Sequence, residues 1–587
     1  MRTSLLVLLA PLAVAGEIEF EVDPASQVAV VVNDRVPESV RTGEYYCERR
    51  GVPGTMVVRV STAPDEVIAR PAFEKEILEP VAAFVKAHPA VLYVVTTYGV
   101  PLKIPETDAA DDDSIEKGFV GGRDFAAVDQ ELACIPMGTW ETKGIVNNPY
   151  FQKSEPISAA LRRLVVGRLD GPTPEIAREL VDRALLGERF GLEGKAYLDT
   201  RGITSNDGYG YRDGLNRRSA EVFAKYGLPC HHDDAPEVLD LSAFDDVVLY
   251  DGWYTGDYSF TKDPAFRFRP GAVAIHLHSF AASTVRSATA NWVGPLVAHG
   301  AAASVGTVWE PLTLGFPVSP ILFDRWLAGH TLGESVAMAD ACLSWQAILL
   351  GDPLYSPFSA GRAALQAGLR ERRGRLEETW RSALAGGRAA EAWRAARELA
   401  DLLAGLPLAV EAAASRARLE SGALAELEPL LATFAREPSV EGGSALEAFA
   451  STWEGSDAAR MASEAVSGAK RRADEDAEPL WQRGQKAEAA KDWAAAREVY
   501  QSLVRKHPLA GRAAESRSRL DAMAADPAIQ AALGAAGRVE AARRLFTMGT
   551  NLRANGNEEG ARRNFEKILA EYPDTEYAAR AKKALGR

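Results

Sequence analysis

From residue 27 to about residue 358, short runs of apolar residues alternate with stretches whose apolar positions recur at helical spacing. "QVAVVVND" (27–34) predicts a strand, and "VPESVRTGEYYCERRGVP" predicts a helix ended by Gly51 and Pro53. "TMVVRVS" predicts a second strand, "AFEKEILEPVAAFVKAHPA" a helix, and "VLYVVTTYGVPLKIP" a third strand running into a loop. The order continues with a helix over 174–189, the strand "KAYLDT", a helix over 213–226, and the strands "DDVVLYDG" and "GAVAIHLHS". A helix over 290–299, the strand "AAASVGTV" and helices over 319–329 and 333–346 complete it. Short, wholly apolar strands separated by helices predict an α/β fold: a mostly parallel sheet covered by helices on both faces.

The pattern changes after "GDPLYSPF" (351–358), where the chain becomes rich in Ala, Arg, Glu and Leu and reads as helix to its end. Residues 477–520 and 541–585 repeat each other at a constant offset. Trp481 matches Phe546, Gly484 matches Gly549, Ala496 matches Ala561, Tyr500 matches Phe565, and Pro508 matches Pro573. Small residues where two helices cross, an aromatic late in the second helix and a closing proline resemble tetratricopeptide-type hairpins. A weaker copy is expected at 388–419. One hairpin cannot bury its apolar face alone, so stacking is expected. The predicted division is a signal peptide at 1–15, α/β subdomains at 27–160 and 161–358, a helical region at 359–475 and helical repeats at 476–587.

The first residues set the expected compartment. "MRTSLLVLLAPLAVAGEIEF" has one Arg, an apolar stretch and Ala13-Val14-Ala15, which is the pattern of a secretory signal with a small-residue cleavage site. The stretch is shorter than the ~20 residues of a spanning helix, so an exported chain without a membrane span is expected, in the periplasm or the medium. A formal net charge of -14 argues against nucleic acid as a partner. The four cysteines, Cys47, Cys134, Cys230 and Cys342, form no C-x-x-C motif, and their spacing leaves disulfides and buried thiols equally open.

The α/β part resembles the gingipain-type cysteine peptidases, which have a caspase-like fold. The resemblance spans residues 27–358 and rests on five segments in order: the opening strand–helix–strand, "VLYVVTTYGVPLKIP", "VVGRLDGPTPEIARELVDRALLGE", "HGAAASVGTVWEP" and "GDPLY". It implies a His-Gly after one strand and a Cys after the next. The first strand instead ends in Asp251-Gly252-Trp253-Tyr254, and His276 stands near the expected Cys. Peptide-bond attack needs a thiolate and a base, so a domain without the peptidase dyad is expected. "GWY", "HLHS", "WVGPL", "EP" and "GDPLY" in this order are similar to a group of exported bacterial proteins from exosortase-containing genomes, a resemblance that implies no reaction.

Ligands of parallel α/β folds bind beyond the carboxyl ends of the strands, which singles out two segments here. A hydrolase would use Ser279 as nucleophile, His276 or His278 as base and Asp251 to orient it; against this, no G-x-S-x-G surrounds Ser279, which would equally cap a following helix. A metal site would take His276 and His278, two apart and therefore on one face of a strand, with Asp251 or Glu310 as third ligand. His-x-His is a weak signal by itself, however, and a buried, hydrogen-bonded imidazole is commoner. A binding cleft without chemistry would use Trp253, Tyr254, Tyr258, Phe260, Trp292 and Trp309, with Glu310 beside them, although some of these are expected to be core. His231-His232-Asp233-Asp234 and "SNDGYGYRDG" (205–214) read as surface loop and turn, and the acidic "DAADDDSIEKG" (108–118) as a solvated loop rather than a Ca²⁺ loop. No cofactor or metal is expected. The leading function is binding or scaffolding of protein or peptide partners through the repeats; the rivals are a hydrolase, with or without a metal, and a structural envelope component.

Overall fold

The computed structural model describes residues 23–107, 123–255 and 259–587. The segment expected to be a signal peptide (1–15), the acidic stretch at 108–118 and Tyr258 lie outside the described residues. The chain forms two compact units, residues 1–375 and 376–587.

The first unit is built on a sheet of ten strands. They are β1 (Val28–Asn33), β2 (Val57–Val60), β3 (Tyr93–Thr97), β4 (Val165–Leu169) and β5 (Lys195–Asp199). The rest are β6 (Cys230–Asp233), β7 (Val247–Trp253), β8 (Val273–Leu277), β9 (Ala303–Thr307) and β10 (Ala347–Gly351). Their order across the sheet is β2-β1-β3-β4-β10-β9-β8-β7-β5-β6. The sheet is mostly parallel; β9 and β10 run antiparallel, and β10 meets β4 only at Leu350 beside Arg168. β1, β3, β7, β8, β9 and β10 are buried along their whole length. Their apolar residues are therefore covered from both faces, as continuous rather than alternating apolar runs require.

The helices that matter for the site are α1 (Pro37–Arg50), α2 (Val128–Ala133), α3 (Pro174–Phe190), α4 (Gly208–Lys225), α5 (Val293–Ala298), α6 (Ser319–Leu327) and α7 (Leu332–Ala339). Thr173 and Asp207 cap α3 and α4 through their side chains, and α7 opens on a capping box between Thr331 and Glu334.

Buried ion pairs hold the segments together. Arg168 donates to Asp129 and to the carbonyls of Val100 and Pro101, which pins the loop after β3 to β4 and α2. Arg50 joins Glu188 to Asp352, the aspartate of "GDPLY". The loops that follow β2, β3, β4 and β8 meet at one edge: Lys103 Nζ donates to Ser283 O at 2.6 Å, Val285 N to Glu66 Oε1 at 2.9 Å, and Arg286 to Asp170 at 3.2 Å.

Three expectations need correction. Residues 333–346 are not one helix: α7 stops at Ala339, and the chain turns to enter β10 antiparallel to β9. His231-His232-Asp233 is not a loop but part of the edge strand β6, whose polar side chains face outward. The "SNDGYGYRDG" turn is shorter than expected, because α4 starts at Gly208.

The second unit is wholly helical. It contains Ala389–Leu402, Pro407–Arg436 and Val440–Thr452, then α8 (Asp457–Ala489), α9 (Trp493–Lys506), α10 (Pro527–Ala554) and α11 (Glu558–Glu571). The two matched hairpins share one geometry. Trp481 lies 5.4 Å from Tyr500, and Phe546 lies 5.4 Å from Phe565. A Cβ on Gly484 would sit 2.4 Å from the Tyr500 ring, and one on Gly549 would sit 2.7 Å from the Phe565 ring, so only glycine lets these helices cross. Among the described residues no helix is long and apolar enough to cross a membrane.

Candidate functional site

The site begins with strand register. Asp251 pairs with Ile275, Gly252 with His276 and Trp253 with Leu277. Side chains alternate along a strand, so Asp251 and His276 point to opposite faces of the sheet. The expected triad of Asp251, His276 and Ser279 is therefore not assembled.

On its own face His276 ends a buried chain of polar groups. Tyr250 Oη donates to Asp199 Oδ2 at 2.8 Å, and Asp199 is paired with Arg201. Tyr250 Oη also lies 2.9 Å from His276 Nδ1. The single phenol hydrogen is committed to Asp199, so Nδ1 carries the imidazole proton and Nε2 is the bare nitrogen. Among the described residues Nε2 has no hydrogen-bond partner. The ring stacks on Trp292 at 3.4 Å, with 6° between the planes. Burial, then the charges of Arg201 and His278, pull the imidazole well below its usual range, so it is neutral near pH 7. Gly252 is required here: a Cβ would lie 2.3 Å from Tyr250 Oη and 2.6 Å from His276 Nδ1.

Asp251 belongs to a different cluster. Its carboxylate accepts from Ser319 Oγ at 3.2 Å, Asn216 Nδ2 at 3.4 Å and Ser219 Oγ at 3.5 Å, beneath α4 and α6. Burial pushes Asp251 up to about 7, against the pull of the Arg212 guanidinium.

His278 lies just beyond the end of β8, and its Nδ1 is 2.6 Å from the carbonyl of Ser279. Among the described residues no hydrogen bond joins Ser279 Oγ to either imidazole, and Ser279 caps no helix, since α5 starts at Val293. Glu310 accepts from Leu312 N at 3.1 Å. Among the described residues no three His, Cys, Asp or Glu side chains gather as a metal site would require. His276 and His278 thus have no third ligand in Asp251 or Glu310.

The expected aromatics divide into core and surface. Trp253 is buried and donates to Asp213 Oδ1 at 2.6 Å, an oxygen that also accepts from Arg201 N. Phe260 and Trp292 are buried too. Trp309 is half-buried, donates to Ile104 O at 3.2 Å and carries Lys103 Nζ 4.1 Å from its ring centre. Tyr254 is 42 % exposed, and three further aromatics that the sequence pattern did not single out are exposed as well: Tyr209 at 43 %, Tyr211 at 63 % and Phe280 at 42 %. Tyr254 and Phe280 have φ of 54° and 61°, in the left-handed region that favours glycine. Such strain costs of order 1–3 kcal/mol per residue and clusters at functional positions.

All four cysteines are free thiols. Burial pushes Cys134 and Cys342 up to about 12, and burial with the Asp251 charge pushes Cys230 up to about 11. Burial also raises Cys47.

The second unit offers grooves. One of about 490 Å³ runs along α10 and is lined by Arg543, Arg544, Thr547, Met548, Asn551 and Asn555. Another, of about 820 Å³, is lined by Trp393, Arg397, Arg416, Glu420, Glu454 and Arg460.

Comparison with known proteins assigns the ends of the chain unequally. The tetratricopeptide repeat family matches residues 480–510 and 545–575, so the helical unit carries tetratricopeptide repeats. No curated protein matches the sequence. The chain is similar to a crystal structure of the Arg-specific cysteine proteinase gingipain R, at 12% identity over 57% of this chain and 79% of that one, with a TM-score of 0.32. A structure described only as a protease matches at 10% identity over 57% and 78%, with a TM-score of 0.30.

Proposed function

We propose that this chain is an exported binding protein that holds protein or peptide partners through its helical repeats and has no peptidase activity. The observation that carries the reading is the pair of tetratricopeptide repeats at 480–510 and 545–575. Stacked helical hairpins present extended surfaces suited to protein partners. The groove along α10 gives that surface an apolar centre, Met548, which is 55 % exposed, between Arg543, Arg544 and Asn551.

The non-catalytic part of the reading is supported by chemistry. Four thiols held protonated at neutral pH supply no thiolate. Asp251 and His276 on opposite faces form no charge-oriented base. The strand ends then serve recognition, with Tyr254 and its neighbours as contacts for an extended peptide. Export is expected from the N-terminal residues.

The test uses the full-length protein, immobilised and exposed to an envelope extract of its own cells. Defined partners are expected on the intact protein, with capture reduced several-fold by Met548→Glu. Capture that is no different from bare resin, or that Met548→Glu leaves unchanged, would remove the repeats as the binding surface.

A further inference from the structure

The turn that carries the chain from α7 back towards β10 begins at Asp340, the residue that ends the helix. Its Oδ1 accepts from Cys342 N at 3.2 Å and its Oδ2 from Gln130 Nε2 at 2.9 Å. Its main-chain carbonyl accepts from Asn148 Nδ2 at 2.6 Å. Asp340 therefore ties its own turn to α2 and to the segment that leads to β4.

Two buried side chains beside it are incompletely bonded. Gln130 Nε2 uses both its hydrogens, on Asp340 and on Ala347 O at 3.0 Å. These two acceptors fix which way the amide faces. Gln130 Oε1 is then an acceptor that no donor among the described residues meets. Arg163, just before β4, donates from Nε and Nη2 to Leu164 O at 3.0 and 2.9 Å. Its Nη1 has no acceptor among the described residues. Gln130 is 9 % exposed and Arg163 5 %, and polar atoms at such depth are almost always hydrogen-bonded in native proteins.

The charges of this cluster are balanced but apart. Burial pushes Asp340 up to about 6, against the pull of Cys342 N, Arg163 and Gln130, so it is largely ionised at pH 7. Burial lowers Arg163, which nonetheless stays a cation near neutrality. Each feels the other's charge, yet among the described residues no hydrogen bond or ion pair joins them directly.

Gln130, Arg163 and Asp340 line one interior cavity of about 20 Å³, with Ala133, Ala337 and Ile348 among its apolar walls. That is room for a single water. Asp129, a second acid on the wall, is already paired with Arg168. The lining is thus neutral overall. A lone cation would meet the Arg163 guanidinium, and a lone anion the Asp340 carboxylate, so the site favours a small neutral ligand that both donates and accepts.

We propose that this cavity binds one structural water, which accepts from Arg163 Nη1 and donates to Gln130 Oε1 and to the Asp340 carboxylate. Three hydrogen bonds are what a buried water typically makes. The water converts two separated charges into a bridged ion pair and joins α2, the entry to β4 and the turn towards β10.

A crystal structure of the full-length protein that shows ordered solvent tests the site directly. Magnetic relaxation dispersion of water, which counts long-lived buried waters in solution, tests it independently. A single density peak is expected within hydrogen-bond distance of Arg163 Nη1, Gln130 Oε1 and an Asp340 carboxylate oxygen. Gln130→Leu, similar in volume, removes the acceptor. In that variant the peak is expected to vanish and the count of long-lived waters to fall by one, with the far-ultraviolet circular dichroism of the parent retained. Should the variant not fold, the parent crystals decide alone. A cavity without density, or Arg163 in direct contact with Asp340, overturns the proposal. So does a peak that gives an anomalous signal after a bromide soak, which would make it a halide site, or a water count unchanged in folded Gln130→Leu.

Discussion

The two units solve burial in opposite ways. The α/β unit buries charge: Arg168 with Asp129 and Arg50 with Glu188 and Asp352 are deep in the fold and join segments far apart in sequence. The helical unit carries its ion pairs at the surface, many of them one turn apart on single helices, as between Arg460 and Asp457 or Glu464 and between Arg543 or Arg544 and Glu540. Its interior is built of alanine, aromatic and larger aliphatic residues such as Leu427, Leu503 and Ile568. The first unit is therefore specified by a few irreplaceable long-range pairs, the second by repeated local crossings. The difference also sorts function: the buried pairs position loops at the strand ends, while the helical unit leaves its surface free to vary.

The comparison is broken most severely at Arg168. Replacing it with Leu leaves Asp129 buried without its cation and is expected to cost on the order of 3–5 kcal/mol, read as a shift of the first unit's denaturant midpoint. A loss no larger than that of a surface substitution would show that the buried pairs are not what specifies this unit.

Asp251 gives the next effect, and it depends on pH. Its folded-state value of about 7 lies above the ordinary carboxylate value near 4, so the folded protein binds this proton more tightly than the unfolded chain does. Between about pH 4 and pH 7 the group's contribution therefore falls as pH rises. Asn cannot ionise. The stability of Asp251→Asn relative to the parent is expected to improve by on the order of 2–4 kcal/mol from pH 4 to pH 8, whatever fixed offset the loss of charge beside Arg212 adds. A relative stability that is flat with pH would place the carboxylate in contact with water.

In the helical unit, Gly484→Val forces a side chain into the Tyr500 ring and is expected to cost about 1–3 kcal/mol. Hydrogen exchange is expected to rise in α8 and α9 and to stay unchanged in the first unit, because repeats pass strain only to neighbours. The smallest effect is at Glu540→Gln, which removes the surface partner of Arg543 and Arg544 and is expected to leave the melting temperature within measurement error.

The same contrast decides what could be read from the sequence. The repeats were legible because local crossings leave local marks: Gly484 and Gly549 stand against Tyr500 and Phe565 at one offset. Buried strands were legible as apolar runs, and "GAVAIHLHS" placed His276 at a strand end. β6 was hidden because an edge strand needs no apolar side chains, and "CHHD" has none beyond Cys230. β10 was hidden because its direction is set by pairing with β9, not by its own residues. The same holds for the site. Tyr250 and Gly252 share a face by alternation, but only the register of β7 against β5 and β8 brings Asp199 to Tyr250 and separates Asp251 from His276. Tyr254 was legible as a candidate cleft aromatic, but Phe280 and the left-handed backbone at both positions gave no signal, since neither residue type announces it.

The central claim, binding without cleavage, is tested most directly by passing a diverse peptide mixture over the pure, full-length protein and weighing what is retained and what flows through. Enriched peptides of unchanged mass are the predicted result. New termini in the flow-through that disappear with His276→Ala, or with alkylation of a cysteine, would contradict it.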